Sequence, residues 1–138
     1  MIHAYELAGA RVHLLEADAE LPYQIFARAS SVMSPWGAII MLLQKPYRRG
    51  EIAEVLRFSL RNDIPIHDIV TAGNVEGAVF MVLKPGVAIC GYSGQRSIRP
   101  AVERIASWFE AEVREFHRYA FDRHFLHLDV KTGMLAES

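Results

Sequence analysis

At 138 residues the chain has the length of one domain and not of two. About half of it is apolar and 22% is charged, which is the composition of a packed globular chain and not of a disordered one. Fifteen basic against 16 acidic residues leave a net charge of −1, which argues against a nucleic-acid binder working through a broad basic field.

The N-terminus, Met1-Ile2-His3-Ala4-Tyr5-Glu6, has neither the basic start nor the apolar core of a signal peptide, and the chain reads as cytoplasmic. His3 to Ala10 reads as a helix and Arg11 to Leu15 as a strand, together the closing part of a structural unit. Ser31 to Ile40 reads as two short strands joined by a turn at Pro35-Trp36-Gly37. The longest apolar run, Trp36 to Leu43, has eight residues where a membrane span needs about 20, so no membrane partner is expected. Lys45-Pro46-Tyr47-Arg48-Arg49 is a polar stretch ending in arginine. In the helix that follows, Ile52, Val55, Leu56 and Leu60 form one apolar stripe, with Glu51, Glu54, Arg57 and Arg61 away from it. Ile64 to Val70 reads as the next strand.

The same order then recurs. Val79 to Ile89 is a second hairpin, turning at Lys84-Pro85-Gly86, and Tyr92-Ser93-Gly94-Gln95-Arg96 is a second polar stretch ending in arginine. The single cysteine, Cys90, excludes an intramolecular disulfide framework or a multi-cysteine zinc site, and reads as a small buried apolar residue. The second helix carries the stripe Val102, Ile105, Ala106, Phe109 and Val113, with Ser97 as N-cap and Pro100 in its first turn. Arg114 to Tyr119 reads as a strand. Leu126 to Leu135, with Lys131-Thr132-Gly133 at its turn, reads as the opening hairpin of a third unit.

The pattern is a strand-strand-helix-strand module with a period near 48 to 50 residues, in a single α/β domain. The end of one module occupies 1–20, two modules occupy about 21–72 and 73–120, and the start of another occupies 121–138. Modules bury their apolar faces on neighbours, so an array cut at both ends predicts a homo-oligomer, in its simplest form a two-fold dimer.

Four segments carry a family resemblance. Leu21-Pro22-Tyr23-Gln24-Ile25-Phe26-Ala27-Arg28 resembles the opening motif of the guanidine-modifying superfamily of arginine deiminases, dimethylarginine hydrolases and amidinotransferases. Gly73-Asn74-Val75-Glu76-Gly77, Gly91-Tyr92-Ser93-Gly94-Gln95-Arg96 and Phe125-Leu126-His127-Leu128-Asp129 resemble further motifs of that family, in its order and spacing, from about Ile2 to Glu137. The resemblance implies the pentein fold, a five-fold propeller of strand-strand-helix-strand modules around a central site, of which this chain is a part.

The family reaction attacks the central carbon of a guanidinium. Carboxylates hold the planar cation, a cysteine thiolate attacks, and a histidine moves protons. The resemblance gives the proton-transfer role to His127, and a guanidinium-facing or assisting role to Glu76 and Asp129. It makes Arg48 and Arg96 candidates for holding a substrate carboxylate. From the residues alone, the two arginines read equally as charges at helix starts, and Glu76 as an acceptor for backbone N–H groups in its loop. His127 and Asp129, two apart on an expected strand, would share a face.

Three departures from the family pattern set the functional expectation. Ala29 stands where the first motif has aspartate, Ala78-Val79 stand where the second has Gly-Asp, and the nucleophilic cysteine lies beyond the histidine motif, past this chain's last residue. The expectation is a non-catalytic relative, at most a weak binder of guanidino compounds. The alternatives are a part of an amidine hydrolase or amidinotransferase completed by another chain, and an oligomeric interaction module. No cofactor is expected. No metal is expected either, because His117, His124, His127, Asp122 and Asp129 follow no metal-ligand spacing.

Overall fold

In a computed structural model of the chain, which describes residues 2–112, 115–130 and 132, two three-stranded sheets repeat one topology. A short helix α1 (Ile2–Leu7) comes first and buries no side chain. In the first sheet β1 (Ser31–Ser34) pairs antiparallel with β2 (Gly37–Ile40), helix α2 (Glu51–Arg61) crosses over, and β3 (Ile66–Ile69) pairs parallel with β2. In the second, β4 (Phe80–Lys84) pairs antiparallel with β5 (Val87–Tyr92), α3 (Arg99–Glu112) crosses over, and β6 (Glu115–Ala120) pairs parallel with β5. A parallel pair needs such a crossover, so the hairpin-then-helix order in the sequence dictates the mixed sheets.

The central strand β2 is buried along its whole length because both of its faces are covered. Alternation sends Ile39 to one side, where it joins Met41, Val79, Phe80, Val102, Ile105 and Phe109 in a core shared by the two sheets. Ala38 and Ile40 face the other side and meet Val55 of α2. Phe109 is the hub of the large core, with ring centroids 5.2 Å from Trp36, 5.2 Å from Phe80 and 5.5 Å from Phe116. Gly77 locks the first module to the second: a Cβ there would overlap the Arg28 carbonyl oxygen, so only glycine lets the turn at Gly77–Val79 seat against the turn at Ala27–Ala29.

Four sequence expectations are corrected. Arg11 to Leu15 is not a strand. A strand needs a neighbouring backbone for its hydrogen bonds, and this stretch lies along α2 instead, with Leu15 on the Ile40–Val55 cluster and the Glu16 N–H donating to the Glu54 carboxylate at 3.2 Å. Residues 126–130 are not a strand either: Leu128–Val130 is a 3-10 turn that buries Leu128, so the shared-face argument for His127 and Asp129 does not hold. The rest of that expected hairpin, apart from Thr132, lies outside the described residues, as do Val113 and Arg114.

In α2 the expected stripe is displaced: Glu51 and Glu54 are buried while Leu60 is 73% exposed. Each buried carboxylate has cationic partners, Arg48 for Glu51 and Arg57 and Arg61 for Glu54, which is what allows burial. Ser97 lies two residues before α3, and its hydroxyl accepts the Glu76 N–H at 3.3 Å.

Candidate active site

The two arginines singled out by the repeat follow the carboxyl ends of the central strands: Arg48 closes the 3-10 turn Pro46–Arg48 after β2, and Arg96 lies in the loop after β5. Loops at the carboxyl ends of strands are where α/β sheets build sites. Glu76 comes from the loop between the modules, held by the Val75 N–H donating to the Leu42 carbonyl at 3.0 Å and the Ile98 N–H donating to the Asn74 carbonyl at 3.0 Å. His127 comes from the segment after β6.

Three of these side chains converge on the carboxylate of the fourth, Glu76. Glu76 is wholly buried. Its Oε2 lies 2.7 Å from His127 Nε2 and 3.8 Å from Arg48 Nη1, and Arg96 Nη1 donates to Oε1 at 3.1 Å and to Oε2 at 3.3 Å. Burial alone would push the Glu76 carboxyl up, but the hydrogen bonds from His127 and Arg96, together with their charges, hold it below its ordinary value. Arg48 presents its side edge to Glu51, with Nε and Nη2 donating at 2.8 Å each to the two oxygens, while Ser30 Oγ donates to Glu51 Oε2 at 3.3 Å. That two-point bond to Glu51 outweighs the burial of Arg48 and raises its pKa further.

In front of this network is a cavity of about 600 Å³ with Arg48, Arg96 and His127 on its polar side. Ala29 and Ala78 face it from the apolar side, and Tyr23, Tyr47, Phe26 and Leu126 stand around it. Glu51 and Glu76 do not line it. Asp129 does, and it lies apart from the Glu76 network, with Oδ2 3.6 Å from Arg28 Nε. Of the residues named from sequence, then, the structure gathers Glu76, His127, Arg48 and Arg96, and pairs Asp129 with Arg28 instead.

Cys90 is on β5 in the shared core, wholly buried, and burial pushes its thiol well up. The histidines disperse: His117 pairs with Glu115, His124 with Asp122 and His127 with Glu76. Among the described residues no three His, Cys, Asp or Glu side chains group to hold a metal ion. No helix among them is long and apolar enough to cross a membrane.

Sequence reasoning missed Glu51, Ser30 and Arg28 as parts of the site. The first carried a signal, because Arg48 and Glu51 are spaced i,i+3 at the start of a helix.

No family model matches the chain, and no curated protein matches it. Solved structures do. A dimethylarginine dimethylaminohydrolase from Pseudomonas aeruginosa, complexed with citrulline, matches with a TM-score of 0.78 at 22% identity, over 92% of this chain and 49% of that one. The product-bound N-terminal domain of ArgZ, an arginine dihydrolase from Cyanobacteria, matches with a TM-score of 0.77 at 19% identity, over 93% of this chain and 46% of that one. AgrE, in a complex with ornithine and NAD+, matches with a TM-score of 0.81 at 18% identity, over 98% of this chain and 20% of that one.

The chain has the pentein fold. It spans about half the length or less of the pentein structures it matches.

Proposed function

We propose that the chain is a non-catalytic relative of the guanidine-modifying enzymes, with a cavity that binds guanidino compounds weakly or not at all. One observation carries this reading: the carboxylate that the family resemblance offers to a guanidinium is already occupied by the chain's own cations. Glu76 has no exposed surface and is shared by Arg96, His127 and Arg48. Ala29, on the cavity wall, and Val79, in the core, stand where the family resemblance expects aspartates. Each lost charge-assisted hydrogen bond is worth about 1.5–3 kcal/mol, so two losses weaken guanidinium binding about a hundredfold or more. Cys90, packed in the core, is no nucleophile for this cavity. In this reading His127 and Glu76 hold the fold and the cavity wall together, and no longer move protons.

The test is turnover. The purified chain is expected to release no ammonia, citrulline or dimethylamine above background from arginine, agmatine or methylated arginine. Turnover that survives Cys90→Ala and disappears in His127→Ala overturns the proposal.

A second reading, an enzyme completed by another chain, is favoured by the His127–Glu76 pair at 2.7 Å, a geometry suited to proton transfer. Citrulline formed only after mixing with a cysteine-bearing partner would establish it; a stable complex without turnover would end it. Self-association is part of the proposal as well. Leu14, Ile25 and Phe26 leave 74%, 84% and 59% of their surfaces exposed within one short stretch, which supports contact with a second copy.

A further inference from the structure

Extending the self-association part of the reading above, on which this rests, we infer that a second copy of the chain covers the mouth of the cavity, with Ile25 of each copy seated in a cleft of the other. Five large apolar residues, Tyr23, Ile25, Phe26, Tyr47 and Leu126, surround that mouth, and Leu14 joins them through a cleft it shares with Ile25. Each of the six is between 45% and 84% exposed. Taking about 200 Å² for a fully exposed large apolar residue, they present roughly 700 Å² per copy, which exceeds the largest apolar patch of a typical monomer and approaches one side of a standard interface.

The turn 16–26 that carries half of this surface has no helix or strand, yet its own hydrogen bonds hold it in shape. The Gln24 side chain braces it from within: Nε2 donates to the Glu16 carbonyl at 2.9 Å, and Oε1 accepts the Asp18 N–H at 3.0 Å. The Asp18 carboxylate accepts the Glu20 N–H at 2.9 Å. The N–H groups of Leu21, Gln24 and Phe26 donate to the carbonyls of Asp18, Leu21 and Tyr23, at 3.0 Å in each case. The Glu16 N–H ties the turn to Glu54 of α2. The polar groups are thus spent inside the turn, while Ile25 and Phe26 are held outward. An apolar surface that is already ordered loses little conformational freedom when a partner seats on it.

The kind of partner follows from what lies beside Ile25. This side chain, 84% exposed, stands at the rim of a cleft of about 360 Å³ lined by Leu14, Leu15, Ala17 and Ala27. A projection and a hollow side by side on one face are self-complementary under a two-fold axis that passes between them, because each copy then fills the other's hollow with the same residue. A lipid surface fits less well: Glu16, Asp18 and Glu20, all exposed on the same turn, are repelled by anionic headgroups.

The experiment is light scattering of the purified chain over a range of concentrations, with three variants. Wild type is expected as a dimer at micromolar concentration. Ile25→Asp is expected to raise the dissociation constant about thirtyfold or more, as at the centre of an interface. Leu126→Ser, in the segment after β6 on the same cavity mouth, is expected to raise it about fivefold or more. Leu60→Asp places the same charge on a leucine 73% exposed that lines neither hollow, and is expected to change it less than about twofold. In a parallel measurement Ile25→Cys is expected to give a disulfide-linked dimer on mild oxidation, since the two-fold axis runs close to residue 25, and Leu60→Cys is not. Cys90 is buried and takes no part.

A well-folded wild-type monomer removes this inference together with self-association and leaves the non-catalytic reading standing. A dimer that resists Ile25→Asp and is not cross-linked at Ile25→Cys keeps self-association on another face and overturns the inference. Dissociation by Ile25→Asp without any effect of Leu126→Ser also overturns it, because the contact would then lie beside the cavity and not over its mouth. Should Ile25→Asp fail to fold in a thermal scan, the cross-link at Ile25→Cys decides alone.

Discussion

Replacing Glu76 by glutamine removes the carboxylate on which three donors converge. The amide has one accepting oxygen, so if it serves His127 at 2.7 Å, the NH2 group faces Arg96 Nη1, which donates to both carboxylate oxygens at 3.1 and 3.3 Å. The partners cannot turn to water cheaply: the side chains of Arg48, Arg96 and His127 are 6%, 16% and 14% exposed. Removing one member of a buried ionic group costs about 3–5 kcal/mol, and the retained oxygen and volume place this variant near the lower figure. For a chain of this length that amounts to a fall of roughly 10 °C in the melting temperature.

The loss must also depend on pH, with a definite sign. Glu76 is held below its ordinary pKa in the fold, so the unfolded chain takes up its proton first as pH falls. The stability that the carboxylate contributes is complete above its unfolded value of about 4.3 and disappears as pH falls through the lower folded value. Thermal unfolding of wild type and Glu76→Gln at pH 7 and in steps below pH 4.3 reads this directly. A variant within about 0.5 kcal/mol of wild type at pH 7, or a gap undiminished in acid, refutes the reasoning.

Four further outcomes are expected. Phe109→Ala, which empties the hub of the shared core, should cost about 3–5 kcal/mol in urea unfolding. Leu60→Lys, at a site 73% exposed, should cost less than about 0.5 kcal/mol in the same assay. Cys90 should resist a thiol-reactive dye in the native protein and react in full in denaturant; rapid native labelling would contradict its place in the core. Light scattering should give a mass near twice 15.6 kDa at micromolar concentration, and a well-folded monomer would remove self-association from the proposal.

The hairpins and crossover helices were legible because turn residues punctuate them and apolar residues recur at helical spacing: Ala38-Ile39-Ile40 after Gly37, and Val102, Ile105, Ala106 and Phe109 along α3. The repeat misled at Arg11 to Leu15 and in the described part of the expected hairpin Leu126 to Leu135, because a strand depends on a neighbouring backbone and a place in a repeat does not reveal whether one lies beside it. The buried Glu51 and Glu54 were hidden for a different reason. A charge on a helix reads as solvent-facing until the arginine that neutralises it is known, and for Glu54 one partner, the Glu16 N–H, is 38 residues away. The Glu76–His127 contact joins residues 51 apart and was visible only through the family resemblance, not through any local pattern. Nothing in that resemblance indicated that Arg96 would fill the face of Glu76.

The central claim is that the cavity no longer holds a guanidinium cation, because Glu76 is occupied from within and alanine and valine stand where aspartates are expected. Calorimetric titration of the purified chain with arginine at neutral pH tests it most directly. A dissociation constant in the millimolar range or beyond, about −4 kcal/mol or weaker, is the predicted result. Binding in the micromolar range, about −8 kcal/mol, would mean that a carboxylate is available to the cation after all and would contradict the account.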